Sequence, residues 1–155
     1  MNPPTRKDRM EELKFFVGTW ILEVTHPHLR PRPIVGETKF EWMEDAYLIQ
    51  RTNLDKFEFP SSTIIYDWDP ESDQYVQHYY DSRGVTRLYG MSLEDGIWKL
   101  WRDTDDFSPL SFLQRFTGTI EEGGNTIDSV WEQSEDGIKW KHDFKLVLRR
   151  KEEAL

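Results

Sequence analysis

From Thr19 to Arg149 the chain is a succession of short segments with period-two alternation, each closed by a turn signal, and no helix-period stretch interrupts them. The predicted strands are Thr19–His26, Gly36–Trp42, Tyr47–Asn53, Ser62–Asp67, Gln74–Asp81, Val85–Leu93, Ile97–Arg102, Phe112–Ile120, Thr126–Gln133 and Lys139–Arg149. Between them lie Asp69-Pro70-Glu71-Ser72-Asp73, Ser82-Arg83-Gly84, Glu94-Asp95-Gly96, Glu122-Gly123-Gly124-Asn125 and Glu135-Asp136-Gly137. Each offers the glycine, proline or Asx chemistry that tight turns require. Sequential strands joined by short turns predict an all-β, antiparallel up-and-down sheet, and closing such a sheet removes its exposed edges. A barrel of about eight strands can just be filled by its own side chains or hold one small ligand, so one of about ten predicts an internal cavity.

Ahead of the strands, Arg9–Phe16 reads as one short helix with Leu13, Phe16 and Val17 on its apolar side and Gly18 ending it. Pro27, Pro31 and Pro33 predict a stiff, lid-like first connection. No repeat, linker or low-complexity tract divides the chain, so residues 1–155 are expected to form one domain.

Composition narrows the function classes. Aromatic residues reach 14% beside 32% charged residues, which is too aromatic for a disordered acidic chain. A net charge of −9 argues against nucleic acid or an anionic membrane surface as partner, because both need clustered Lys and Arg. There is no cysteine, hence no disulfide framework and no thiolate metal site, as suits a reducing compartment. The first residues lack an apolar signal core and no run of about 18 apolar residues occurs, so a cytoplasmic location is expected. Gly-x-Ser-x-Gly, P-loop, Rossmann and His-Glu-x-x-His motifs are all missing.

The candidate binding residues come from face assignments. In the last strand Trp140, His142, Phe144, Leu146 and Leu148 alternate with Lys141, Asp143, Lys145 and Arg149, so the first set is expected to face inward. His142 would then be an ionisable group on an apolar interior face, either a neutral core histidine or a ligand contact. In the fifth strand Val76, His78 and Tyr80 oppose Tyr75, Gln77 and Tyr79, and either set could face in. Arg87 shares the face of Val85, Tyr89, Met91 and Leu93, where a guanidinium needs a partner: Asp81, Glu132 or a ligand carboxylate. Gln114, between Phe112 and Phe116, is expected to line the cavity, and Trp98, Trp131, Trp101 and Trp42 to build the core or its mouth. His26-Pro27-His28 reads as a solvated loop and Asp103-Thr104-Asp105-Asp106 as a charged hairpin tip, so no metal site is expected.

Gly18-Thr19-Trp20 after a short helix, with Arg149 ending the last strand, resembles the calycin superfamily of lipocalins, fatty-acid-binding proteins and nitrobindins. That resemblance implies that Trp20 packs at the closed end of the barrel beneath a late arginine, here Arg149 with Arg150 as fallback. Phe40-Glu41-Trp42-Met43, Asp81-Ser82-Arg83-Gly84-Val85-x-Arg87, Gln114-Arg115-Phe116-x-Gly118 and Trp140-x-His142-Asp143-Phe144 are similar to the lipocalin-like DUF1579 family, which implies a fold and no established reaction. In fatty-acid-binding proteins interior Arg and Tyr anchor the ligand's acid group, the chemistry that Arg87, Tyr89 and Tyr80 would offer. The spacing of His142 and Arg149 resembles that of the haem-binding histidine in nitrobindins. Gly18-Thr19-Trp20-Ile21-Leu22 lacks their further glycines, which counts against haem. The expectation is therefore a binder of a small hydrophobic or amphipathic molecule. The alternatives are an enzyme using His142 or His78 as general base and a haem protein with His142 as axial ligand.

Overall fold

The computed structural model describes residues 2–25, 33–54, 60–107 and 109–152. After helix α1 (Arg6–Glu11) and a 3-10 turn (Glu12–Phe16) come ten strands: β1 (Gly18–Thr25), β2 (Ile34–Met43), β3 (Tyr47–Leu54), β4 (Ser62–Asp69), β5 (Gln74–Asp81), β6 (Thr86–Glu94), β7 (Ile97–Arg102), β8 (Leu113–Ile120), β9 (Thr126–Ser134) and β10 (Lys141–Arg150). Each strand pairs antiparallel with its sequence neighbours, and β1 pairs with β10, so the sheet closes into a ten-stranded barrel. The expected lid and the His26-Pro27-His28 segment fall on residues 26–32, outside the described residues. Among the described residues no helix is long and apolar enough to cross a membrane.

Local chemistry accounts for the boundaries. The helix begins three residues earlier than expected because Thr5 and Asp8 form a capping box: the Asp8 N–H donates to Thr5 Oγ1 (3.1 Å) and the Thr5 N–H to the Asp8 carboxylate (2.9 Å). The β6–β7 hairpin turns on Asp95 and Gly96, both at positive φ (52° and 75°), the left-handed pair that matches strand twist.

Met10, Leu13 and Phe16 carry the helix and the 3-10 turn into one end of the barrel as a plug. Phe16 stacks on Phe40 (ring centroids 5.1 Å) and leans on Trp98 (4.8 Å), and Trp98 meets Phe116 edge-on (4.8 Å). Trp20 is fully buried there, its indole N–H donating to the Phe16 carbonyl (2.8 Å).

The cation above Trp20 is Arg150, not Arg149. Register decides this: Arg150 lies opposite Trp20 and shares the inward face of Leu146 and Leu148, whereas Arg149 lies opposite Ile21. The Arg150 guanidinium sits 4.1 Å from the Trp20 ring centroid and donates to the carbonyls of Phe15 (2.8 Å), Gly124 (3.2 Å) and Val17 (3.3 Å). Arg149 points outward to Glu23 (2.8 Å). Gly18, expected to end the helix, opens β1 with φ of 127°, beneath the same guanidinium.

A second correction comes from β10. The register slips between His142 and Phe144: His142 stands opposite Glu132 but Phe144 opposite Trp131, leaving Asp143 as an extra residue. The bulge inverts the alternation, so Phe144, Leu146 and Leu148 face inward while His142 is exposed. Trp140 also lies outside, beneath the Arg115 guanidinium (4.1 Å) that pairs with Glu132 (2.9 Å).

Candidate functional site

Beyond the aromatic plug the barrel is not filled. A cavity of about 380 Å³ runs from Trp98 and Phe116 toward the end away from the helix, reaching Val24, Leu54, Ser62 and Asp143. Its two sides differ in chemistry. Strands β7 to β10 and β1 present Leu100, Trp131, Phe144, Leu146, Leu148 and Leu22. Strands β3 to β6 present Gln50, Thr52, Ser62, Gln77, Tyr79 and Tyr89, with Ile64 and Leu54 between them. One continuous half of the wall is thus apolar apart from Asp143 on β10, and the other bears most of the neutral hydrogen-bonding groups. Such a pocket, mostly apolar with a few placed polar contacts, has the usual constitution of a small-molecule site.

Most of the polar half is internally satisfied. Tyr66 donates to Gln50 Oε1 (2.6 Å), Gln50 Nε2 donates to Thr38 Oγ1 (2.9 Å), and Thr38 shares a hydroxyl contact with Thr52 (2.8 Å). Burial pushes the Tyr66 phenol well above its ordinary range, so it remains a neutral donor. Nearer the end away from the helix the Tyr89 hydroxyl donates to Gln114 Oε1 (3.2 Å) and Tyr79 to Asp81 (2.8 Å). Burial of Asp81 works against ionisation, yet its carboxyl is held at about 2 by hydrogen bonds from the Arg83 and Tyr79 side chains and from the Arg83 and Val85 amides. Arg102, also inward on β7, is sealed in a buried ion pair with Asp106 (2.8 Å), whose carboxylate accepts the Leu88 N–H (2.9 Å) as well. Asp106 therefore anchors the β7–β8 connection rather than belonging to a solvated tip, and no metal-binding group of His, Cys, Asp and Glu occurs among the described residues.

Two donors stand apart. Among the described residues, Arg87 Nε and Trp98 Nε1 are buried side-chain polar atoms without a hydrogen-bond partner. Neither acid considered for Arg87 reaches it, since Asp81 holds Arg83 and Glu132 holds Arg115. Arg87 lies close to Tyr89, where its charge opposes the upward shift that burial gives the Tyr89 phenol.

The expected site residues divide accordingly. Tyr89, Trp98 and Trp131 line the cavity; Gln114 is buried behind Tyr89, and Arg87 lies at the border. His78 and Tyr80 point outward because Tyr75, Gln77 and Tyr79 hold the inner face of β5, and Tyr80 is exposed. Neither His78 nor His142 lines the cavity, so among the described residues the general-base alternative has no histidine to use. A haem ligated by His142 does not fit either: it needs that imidazole inside the barrel, and no histidine stands among the described lining residues. Gln50, Gln77 and Thr52 were missed from sequence. The available signal was the Tyr75-x-Gln77-x-Tyr79 alternation, a polar amide between two aromatic residues on a single face.

Fold and site together define a closed ten-stranded antiparallel barrel with an internal, mostly apolar cavity. A solved structure of similar shape is that of Rv2717c from M. tuberculosis, which matches with a TM-score of 0.66 at 15% identity, over 97% of this chain and 100% of that one. At that identity the likeness is one of fold. No family model matches the chain, and no curated protein matches it significantly.

Proposed function

We propose that the chain is a calycin-type, lipocalin-like barrel of the DUF1579 kind that binds a small hydrophobic or amphipathic molecule in its cavity. The observation that carries this reading is the unfilled space of about 380 Å³ beside a plug packed with aromatic rings. A chain able to stack Phe16, Phe40, Trp98 and Phe116 at one end had side chains available to fill the other, and it leaves a two-sided pocket instead. The ligand rests against Trp98, Trp131 and Tyr89, with Gln114 and Arg87 supporting the Tyr89 side. A net charge of −9 and the lack of cysteine suit a cytoplasmic carrier or sensor of a small molecule rather than a binder of nucleic acid or anionic membrane.

The test is titration with N-phenyl-1-naphthylamine, a neutral dye that brightens in apolar surroundings. Binding is expected to saturate at one dye per chain and to quench tryptophan emission. Leu146→Trp, filling the cavity from β10, should abolish saturation, and Ile64→Phe, filling it from β4, should weaken it. Dye binding that never saturates, or that ignores both substitutions, sinks the reading. Native mass spectrometry of protein purified from its own host then identifies the retained molecule by mass.

A further inference from the structure

The outer wall of the barrel holds a second surface of unusual composition, independent of the cavity. Ile64, Tyr79, Tyr89 and Leu100 face inward, so alternation turns Ile65, Val76, His78, Tyr80, Leu88 and Trp101 outward. Pairing gathers these six into one patch: Ile65 lies opposite His78 and His78 opposite Leu88, while Val76 lies opposite Gly90 and Gly90 opposite Trp101. They enclose no Asp, Glu, Lys or Arg in a chain that is 32% charged, and Asp67 at the corner is neutralised by Arg6 (2.7 Å). Strand β2, by contrast, turns Glu37, Lys39 and Glu41 outward. Trp101 lies close along the sheet, its indole nitrogen only 2.2 Å from where a Cβ on Gly90 would stand, so the patch is flat there. Strands about 4.8 Å apart and a rise of about 3.4 Å per residue make it about 400 Å² with side-chain width included. Charge depletion, aromatic residues and that size are the marks of an interface core.

The two flanks of the patch carry opposite charge. On the β3 side Arg51 lies in the row of Thr63 and Tyr80, with Lys39 opposite it on β2. Both cations share one carboxylate, Glu41 (2.6 Å from Arg51, 3.7 Å from Lys39), which leaves a positive charge in excess. On the other side Asp103 and Asp105 follow Trp101, both exposed and in no ion pair among the described residues. The Leu88 N–H, donating to Asp106 (2.9 Å), holds that segment level with the patch. A two-fold axis along β5 sets the Arg51 flank of one copy against the Asp103 and Asp105 flank of the other, and the reverse, so both contacts form together. A net charge of −9 opposes self-association elsewhere on the surface, and this uncharged wall with complementary flanks is where the repulsion is relieved.

We propose that two copies of this chain form a symmetric homodimer through the outer wall of β4 to β7, with Ile65, His78, Tyr80, Leu88 and Trp101 at the core of the contact and Arg51 facing the partner's Asp103 and Asp105. The patch supplies about half of the roughly 800 Å² per copy that a standard interface buries, so the dimer is of micromolar strength. The flanking charges stay solvated and fix the orientation of the two copies more than their affinity. None of the six patch residues lines the cavity, so association and ligand binding are separable.

The experiment is sedimentation velocity of the whole chain at low salt, over concentrations from about 2 to about 200 µM. A monomer–dimer equilibrium is expected, with a dissociation constant of about 1–50 µM. Leu88→Lys and Tyr80→Glu, each placing a charge in the patch, should weaken it at least tenfold while keeping the wild-type midpoint in urea; either serves if the other fails to fold. Arg51→Glu should weaken the dimer about tenfold, and so should Asp103→Arg with Asp105→Arg. Combining all three reversals should restore the dissociation constant to within about threefold, because each flank again meets its opposite. A chain that stays monomeric throughout the range overturns the proposal, as does a dimer indifferent to both patch variants. Species that keep growing with concentration also overturn it, since a two-fold contact closes at two copies. Losses that add in the triple reversal instead of cancelling overturn the proposed axis.

Discussion

Trp20 and Trp98 are both almost completely buried, at 0% and 3% exposure, and they define opposite regimes of the same barrel. Around Trp20 the polar groups find partners: its N–H reaches the Phe16 carbonyl, and Arg150 covers its ring while satisfying three more carbonyls. Around Trp98 the rings of Phe16 and Phe116 pack one side, but the N–H is unmade and a cavity adjoins the ring. The contrast separates a closed, fully packed end from a region where the packing stops at a cavity. Polar satisfaction is the rule in protein interiors, and Trp98 Nε1 departs from it among the described residues.

The sharpest way to break the comparison is Trp20→Ala, expected to cost about 3–5 kcal/mol in urea unfolding through the cavity it leaves and the loss of support for Arg150. Dye affinity of the folded fraction should barely change; a comparable loss of affinity would dissolve the distinction between the two regimes. Next, Arg150→Met is expected to cost about 2–3 kcal/mol because it strands backbone carbonyls, while Arg149→Met, which breaks a surface ion pair, stays within about 0.5 kcal/mol. Equal costs would undo the assignment of Arg150 as the closing cation.

Asp81→Asn tests the rim, where about 1–2 kcal/mol is expected after allowing for solvent screening around Arg83. The Asp81 carboxyl titrates at about 2 in the folded chain, against about 3.9 when unfolded. Its stabilisation is therefore complete above about pH 4 and is lost as pH falls toward 2. The difference between wild type and variant should shrink over that window, and a gap unchanged at pH 2 would contradict the assignment. Trp98→Phe should alter stability by less than about 1 kcal/mol, since it removes an unpartnered donor along with ring area. Smallest of all, His142→Ala should leave both stability, within about 0.5 kcal/mol, and dye binding unchanged, because the side chain is exposed.

Much of the architecture was legible before any coordinates. Alternation of period two and the Asx-Gly turn signals place all ten strands within a few residues of their observed bounds, because strand formation and hairpin reversal are local matters of backbone preference. The inward face of β8, with Gln114 and Phe116 in and Arg115 out, follows from the same alternation. Parity was not legible across β10: one extra residue at Asp143 turns His142 outward, and no local signal marks a bulge that arises from pairing with β9. Parity also separates Arg149 from Arg150, neighbours of identical charge whose roles differ because only one of them faces Trp20.

What the sequence by itself determined is the ten-strand antiparallel order and the expectation of a cavity, since these depend on local periodicity and on the number of strands, while the closure at Trp20 came from the resemblance that Gly18-Thr19-Trp20 carries. What only the tertiary structure decided is which groups face that cavity and which are left without partners. The polar half from β3 to β6, the unpartnered N–H of Trp98 and the expulsion of both described histidines depend on register between strands distant in sequence. Hydrogen-bond satisfaction is a property of such meetings, not of any one strand.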